Sequence, residues 1–94
     1  MSERKDLLSN TAATGNYVDV VGGRYIWAAE GTFGGGTLQL QSKGPNGTAI
    51  DITGASLTAN GFIEVMMADG SQVRVSVSGG SPSALYSSLT SVGA

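Results

Sequence analysis

Cysteine and histidine are both absent from this 94-residue chain. The chain therefore forms no disulfide, and it lacks the thiolate and imidazole ligands that most often bind transition metals. Nucleophilic catalysis also loses its usual general base. We therefore expect a protein that is not an enzyme and that holds neither a metal nor another cofactor.

Charged residues and long apolar runs are scarce as well. Charged residues make up 13% of the chain, the formal net charge is −2, and the basic residues are dispersed after Lys5. Such a distribution provides no basic surface to follow a phosphate backbone, so no nucleic-acid partner is expected. No apolar run approaches the length of a membrane span, and residues 1–6 lead into no signal-peptide core. We expect synthesis in the cytoplasm and no membrane partner.

A chain of this length has a thin core, because it buries only roughly 60–65% of the surface that its unfolded form exposes. Small domains are usually reinforced by disulfides, by metals or by oligomerisation. Since the composition disfavours the first two, we expect association with further copies of the chain.

Short apolar runs alternate with glycine-rich turns from Tyr17 onward, at spacings of about 8–12 residues that are typical of a β-sandwich or barrel. Period-two alternation is clear at Leu38 and Leu40, and again at Ile50 and Ile52, which predicts one face on a core and one in water. Residues 83–89 also fit a short helix, although we prefer a strand. The seven candidate strands are residues 17–21, 25–30, 37–41, 48–53, 62–67, 72–78 and 85–92.

The first fifteen residues have no such pattern. Charges cluster at residues 3–6 and a polar stretch follows. We interpret residues 1–15 as an N-terminal arm that becomes ordered against a partner, with Leu7 and Leu8 as candidate contacts. A short helix around residues 6–8 is the alternative. Residues 16–94 are predicted to form the β-sandwich domain.

Two candidate strands are apolar on both faces, whereas a strand with one face in water alternates apolar and polar residues. They carry Tyr25 and Trp27 in the first strand, and Phe62 and Met66 in the second. They are either central strands buried on both sides, or residues covered by a loop, or part of a subunit or docking interface, where aromatic residues and methionine are enriched. A third possibility is a sugar-stacking platform of Trp27 with Tyr25 or Tyr17, although packing in the core is favoured.

The glycine run and the acidic side chains match neither a phosphate-binding loop nor a catalytic carboxylate pair. The glycine run at residues 31–36 is followed by a strand and contains no lysine, so it does not match a phosphate-binding loop. The five acidic residues after residue 15 are interpreted as solvated strand or turn residues rather than a catalytic pair. They are Asp19, Glu30, Asp51, Glu64 and Asp69.

The chain contains four short motifs, GGRYIW at 22–27, GTFGGGTLQLQ at 31–41, GPNGT at 44–48 and VRVSVSGGSP at 73–82, and Leu85 and Tyr86 follow the last of them. Together these motifs resemble small β-sandwich structural proteins of tailed bacteriophages, of the capsid decoration or cement type. The likeness covers roughly residues 22–92.

This resemblance implies a capsid decoration protein on the surface of the virion, bound to the major capsid protein and associated with itself as a trimer. The fold expected is all-β, a small jelly-roll-like sandwich of about seven to eight antiparallel strands with an N-terminal arm. The alternatives are a tail or fibre component, including a receptor-binding module, and a free carbohydrate-binding module.

Overall fold

The computed structural model describes residues 4–91, and this part of the chain forms eight strands and no helix. It therefore contains no helix that could cross a membrane. The strand predicted at residues 85–92 is confirmed over residues 85–91 against the helical alternative, and residue 92 lies outside the described range. The strands are β1 (Arg4–Thr11), β2 (Val18–Val20), β3 (Gly23–Thr32), β4 (Thr37–Lys43), β5 (Ala49–Leu57), β6 (Gly61–Met67), β7 (Ser71–Ser78) and β8 (Ser83–Ser91).

The strands form two antiparallel four-stranded sheets. Sheet I has the order β1-β8-β3-β6 and sheet II has the order β2-β7-β4-β5. Strand β4 pairs with β5, β3 with β6, β2 with β7 and β1 with β8, so the second half of the chain runs back along the first. This long hairpin, wrapped over two sheets, is the jelly-roll arrangement. The predicted all-β, jelly-roll-like sandwich is confirmed.

The core lies between the two sheets and is built by alternation along the strands. Leu40 of β4 lies opposite Val75 of the neighbouring strand β7. These two side chains, together with Leu38 of β4 and Val73 of β7, are fully buried. Trp27 of β3 is also fully buried and is the largest side chain in the core. Period-two alternation in the sequence therefore identified the inner faces of β4 and β7 correctly.

The same reasoning was wrong at one end of β5. Ile50 is 52% exposed, whereas Ile52 is half-buried and packs against the core. Ile50 lies at the end of the sandwich, and its Cδ1 atom is close to Gly44 in the β4–β5 turn. The alternation predicted for residues 50–52 thus reaches the core only through Ile52.

The segment predicted as an N-terminal arm is part of the sandwich from Arg4 onward. Residues 4–11 form β1, which pairs along β8, and Leu7 and Leu8 are both buried in the core. The prediction of an arm ordered by a partner is therefore corrected for the described residues, as is the helical alternative. Residues 1–3 of that predicted arm lie outside the described range.

Bulges explain why β1 carries no alternation. The register of β1 against β8 shifts between Asp6 and Leu8 and again between Leu8 and Thr11, and a bulge lets consecutive side chains turn to the same face. The chain then crosses to sheet II, where the Gly15 amide donates to the Val75 carbonyl oxygen (3.0 Å). The protein itself thus holds this segment in place.

Glycines allow two loops at one end of the sandwich to touch through their backbones. The Ser81 amide in the β7–β8 loop donates to the Gly34 carbonyl oxygen in the β3–β4 loop (3.0 Å). Gly80 has φ +57°, and a Cβ atom there would lie 2.4 Å from the Gly36 nitrogen. Gly34 is needed for the same close approach, because a Cβ atom there would lie 2.3 Å from the Ser81 carbonyl oxygen.

Candidate functional site

The six residues predicted at a subunit or capsid interface fall into two groups. Phe62 and Met66 on β6 are exposed, at 73% and 74% of their surface. The other four contribute to the core of the sandwich, and the prediction that they face a partner is corrected because a single chain already buries them. These four are Leu7, Leu8, Tyr25 and Trp27.

Trp27 has its polar atom satisfied inside the core. Its Nε1–H donates to Ser87 Oγ (2.8 Å), and that hydroxyl donates to the Ala28 carbonyl oxygen (2.8 Å). Tyr25 is buried beside it, with its hydroxyl donating to the Val21 carbonyl oxygen (2.6 Å). The indole cannot stack on a sugar from this position, so the platform suggested for Trp27 and Tyr25 is wrong.

Strand β6 lies at one edge of sheet I and presents its apolar side chains to both faces. Val65 and Met67 point into the core, while Phe62, Glu64 and Met66 point outward. This outward row therefore places two large apolar side chains in water with one carboxylate between them.

Strand β3 lies beside β6 in sheet I, and its side chains leave the apolar side chains of this row uncovered. In the β3–β6 register Phe62 is opposite Ala28, and Met66 is opposite Arg24. Alanine is too small to cover a phenylalanine ring. The arginine instead turns to Glu64, with Arg24 Nε donating to Glu64 Oε2 (3.0 Å). Because both charged side chains are more than half exposed, the pair contributes at most about 1 kcal/mol to stability.

A shallow groove of about 480 Å³ lies on the outer face of sheet I beside this row. Phe62 and Tyr86 are among the residues that line it, together with Ala28, Ser88 and Glu30. Tyr86 is 45% exposed and was not among the residues predicted at an interface. Its neighbours could have revealed it, because a strand that buries Leu85 turns the next side chain outward.

Sheet II has a different outer face, on which polar side chains bind one another. Arg74 Nε donates to Gln41 Oε1 (3.0 Å), and Gln41 Nε2 donates to Asp51 Oδ1 (2.8 Å). The ring of Tyr17 lies 5.0 Å from the Arg74 guanidinium and 5.5 Å from Lys43 Nζ. This face has the polar, hydrogen-bonded surface expected of a sheet in water, in contrast to the outer face of sheet I.

The four edge strands of the sandwich also differ. Strand β1 has two register shifts, β2 is three residues long, and β5 has a register shift and a glycine at φ +81°. These features hinder edge-to-edge pairing with another chain. Strand β6 pairs with β3 in continuous register over seven residues and contains neither lysine nor proline. Within residues 4–91, its other side is not paired with a strand.

Residues 4–91 contain no group of acidic side chains that could hold a metal ion, and no buried side-chain polar atom there lacks a hydrogen-bond partner. The arrangement on the outer face of sheet I is instead suited to contact with another surface. We define the docking face as the outward side chains of β6 with Arg24, Ala28 and Tyr86. Comparisons of the chain with protein-family models, with curated proteins and with solved structures found no match.

Proposed function

We propose that this chain is a structural protein of a tailed-phage particle, a capsid decoration protein that binds the major capsid protein through the docking face. The observation that carries the proposal is the exposure of Phe62 and Met66 on a regular edge strand. Both side chains are about three-quarters exposed, although only 40% of the residues in this chain are hydrophobic. Contact with a protein partner would remove this apolar surface from water.

The fold and the motifs support the proposal from two further directions. Jelly rolls of eight strands occur in viral capsid domains, although a fold alone does not specify a function. The motifs within residues 22–92 resemble decoration proteins, which implies a location on the virion surface. The same resemblance implies a trimer, which stays a prediction.

Binding to shells tests the proposal. Purified protein is mixed with shells assembled from the matching major capsid protein and sedimented, and the bound fraction is measured. We expect the wild type to co-sediment, and the double variant Phe62→Ser/Met66→Ser to lose most of this binding. The matched control Val21→Ser/Ile50→Ser removes exposed apolar side chains outside the docking face and should bind like the wild type. Equal binding by all three proteins, or binding by none, would contradict the proposal.

A tail or fibre component is the nearest alternative, since it would have the same fold and a similar need for a protein partner. The two differ in copy number, because a decoration protein covers the shell while a tail component is present in few copies. Quantification of the chain in purified particles separates them.

Glycan binding is a further candidate function. The groove between Phe62 and Tyr86 is the place where a sugar could bind, because Trp27 is buried. Two aromatic side chains at an open groove with Glu30 nearby offer stacking and hydrogen bonding to a sugar. Tryptophan fluorescence would be a poor reporter because Trp27 is buried. Calorimetric titration of soluble oligosaccharides is the better assay, and Tyr86→Ala should abolish any heat of binding. No heat with a broad glycan panel would exclude this candidate.

A further inference from the structure

We infer that β6 pairs with β6 of a second copy of this chain, in antiparallel register about a twofold axis at Glu64. Sheet I of one copy would then join sheet I of the second copy to form one sheet of eight strands. The inference concerns the same face as the proposed function, but purified protein suffices to test it. Its failure is therefore distinguishable from a failure to bind shells.

The side chains of β6 match those of a second β6 strand that runs antiparallel to it. Glu64 is the central residue of the seven in Gly61–Met67. With Glu64 opposite its copy, Phe62 lies opposite Met66 of the second copy on the outer face, and Ile63 lies opposite Val65. Aromatic rings and thioether sulfur atoms attract each other, so this register gives both exposed apolar side chains a favourable neighbour.

In this register the inward side chains of β6 in the two copies also match. Val65 is buried and Ile63 is half-buried against the core of its own protomer. Their pairing across the axis would extend the apolar layer from one sandwich to the next. A shift by one residue would place Ile63 opposite Glu64 and turn apolar side chains to the wrong face.

The charges at the axis are compatible with this contact. Two glutamates directly opposite each other would repel. Each Glu64 carboxylate, however, accepts a hydrogen bond from Arg24 of its own chain (3.0 Å), which neutralises the local charge. The axis would therefore carry two arginines and two glutamates.

The other edges of the sandwich favour β6 over any alternative pairing. Bulges in β1, the shortness of β2 and the register shift in β5 each interrupt a continuous ladder. Only a twofold contact between identical strands uses the regular edge on both partners. It predicts dimers, which differ from the trimers that the resemblance implies.

Cysteine crosslinking tests the register directly, because the chain has no cysteine of its own. Opposite residues in antiparallel strands have Cα atoms about 4.5–5.5 Å apart, within the range of a disulfide. Glu64→Cys should therefore give a covalent dimer on mild oxidation. The control Thr90→Cys lies in the same row of the same face but on β8, which is separated from β6 by β3. It should remain monomeric on a denaturing gel, and equal crosslinking of both variants would overturn the register.

Sedimentation velocity of the cysteine-free protein tests the contact itself. We expect dimers at micromolar concentration, and a dissociation constant about ten-fold higher for Phe62→Ser/Met66→Ser, since two cross-strand pairs are lost. Val21→Ser/Ile50→Ser should associate like the wild type. A wild type that remains monomeric at several hundred micromolar, or an oligomer that the β6 double variant leaves unchanged, would overturn the inference.

Discussion

Ser87→Ala should destabilise the protein far more than the loss of one hydroxyl from a surface would. Ser87 is 5% exposed, and its Oγ atom both accepts from Trp27 Nε1 and donates to the Ala28 carbonyl oxygen. Alanine keeps the shape of the side chain but removes both functions. The indole N–H of Trp27 would then be buried without an acceptor.

The expected cost follows from that buried donor. A polar group that is buried without a hydrogen-bond partner costs about 1–3 kcal/mol of stability. Loss of a hydrogen bond at the surface costs less, because water replaces the missing partner. For a domain of this size, 1 kcal/mol lowers Tm by about 4–8 °C. We therefore expect Ser87→Ala to lower Tm by roughly 5–20 °C without changing the fold.

Urea unfolding followed by tryptophan fluorescence measures this cost, because the single tryptophan is buried in the core. The control is Ser88→Ala, a half-buried neighbour on the outer face of β8 that should change the free energy of unfolding by less than about 0.5 kcal/mol. All proteins are compared at one concentration, since association stabilises the folded state. Equal stability of Ser87→Ala and the wild type would refute the role assigned to this hydrogen bond.

Three further substitutions test the packing of the sandwich by urea unfolding. Leu8→Ala should cost about 2–4 kcal/mol because its side chain is buried in the core, whereas Ser9→Ala should cost almost nothing; equal effects would mean that β1 is not part of the core. Gly80→Ala should cost clearly more than Gly79→Ala, because both residues have positive φ but only Gly80 has backbone atoms where a Cβ would lie; the reverse order would contradict the loop contact. Phe62→Ser should change the stability of the monomer by less than about 0.5 kcal/mol, and a larger loss would show that its ring is packed rather than exposed.

Alternation and turn residues predicted most of the fold because they report local geometry. Strand β7 was predicted within one residue at its first end, since Val73 and Val75 alternate with polar residues between two glycine-containing turns. Asn46-Gly47 and Asp69-Gly70 were predicted as turns, and both glycines adopt positive φ. These features depend on neighbours in sequence, which a single chain displays directly.

Strand β1 was missed because its pairing depends on distant residues. The adjacent Leu7 and Leu8 break the alternation that identifies a strand, and only the bulged register against β8 allows both to be buried. Asn10 with φ 49° adds a further irregularity. A pattern with a period of two cannot indicate a strand that is held by register shifts.

The candidate site was predicted in part for a similar reason. Phe62 and Met66 stood out because they are apolar on the face that carries Glu64. Trp27 stood out in the same way, yet it faces the core while its outward neighbours Ile26 and Ala28 are half-buried. A strand with apolar residues on both sides does not reveal which side meets the opposite sheet. How exposed the outward side chains are also depends on strand order, which places β3 inside sheet I and β6 at its edge.

The most direct test of the central proposal is the amount of this protein in purified phage particles, measured by quantitative mass spectrometry against the major capsid protein. The proposal predicts a copy number comparable with that of the major capsid protein, with the chain retained on heads separated from tails. Absence of the chain from purified particles, or its presence in a few copies that fractionate with tails, would contradict it.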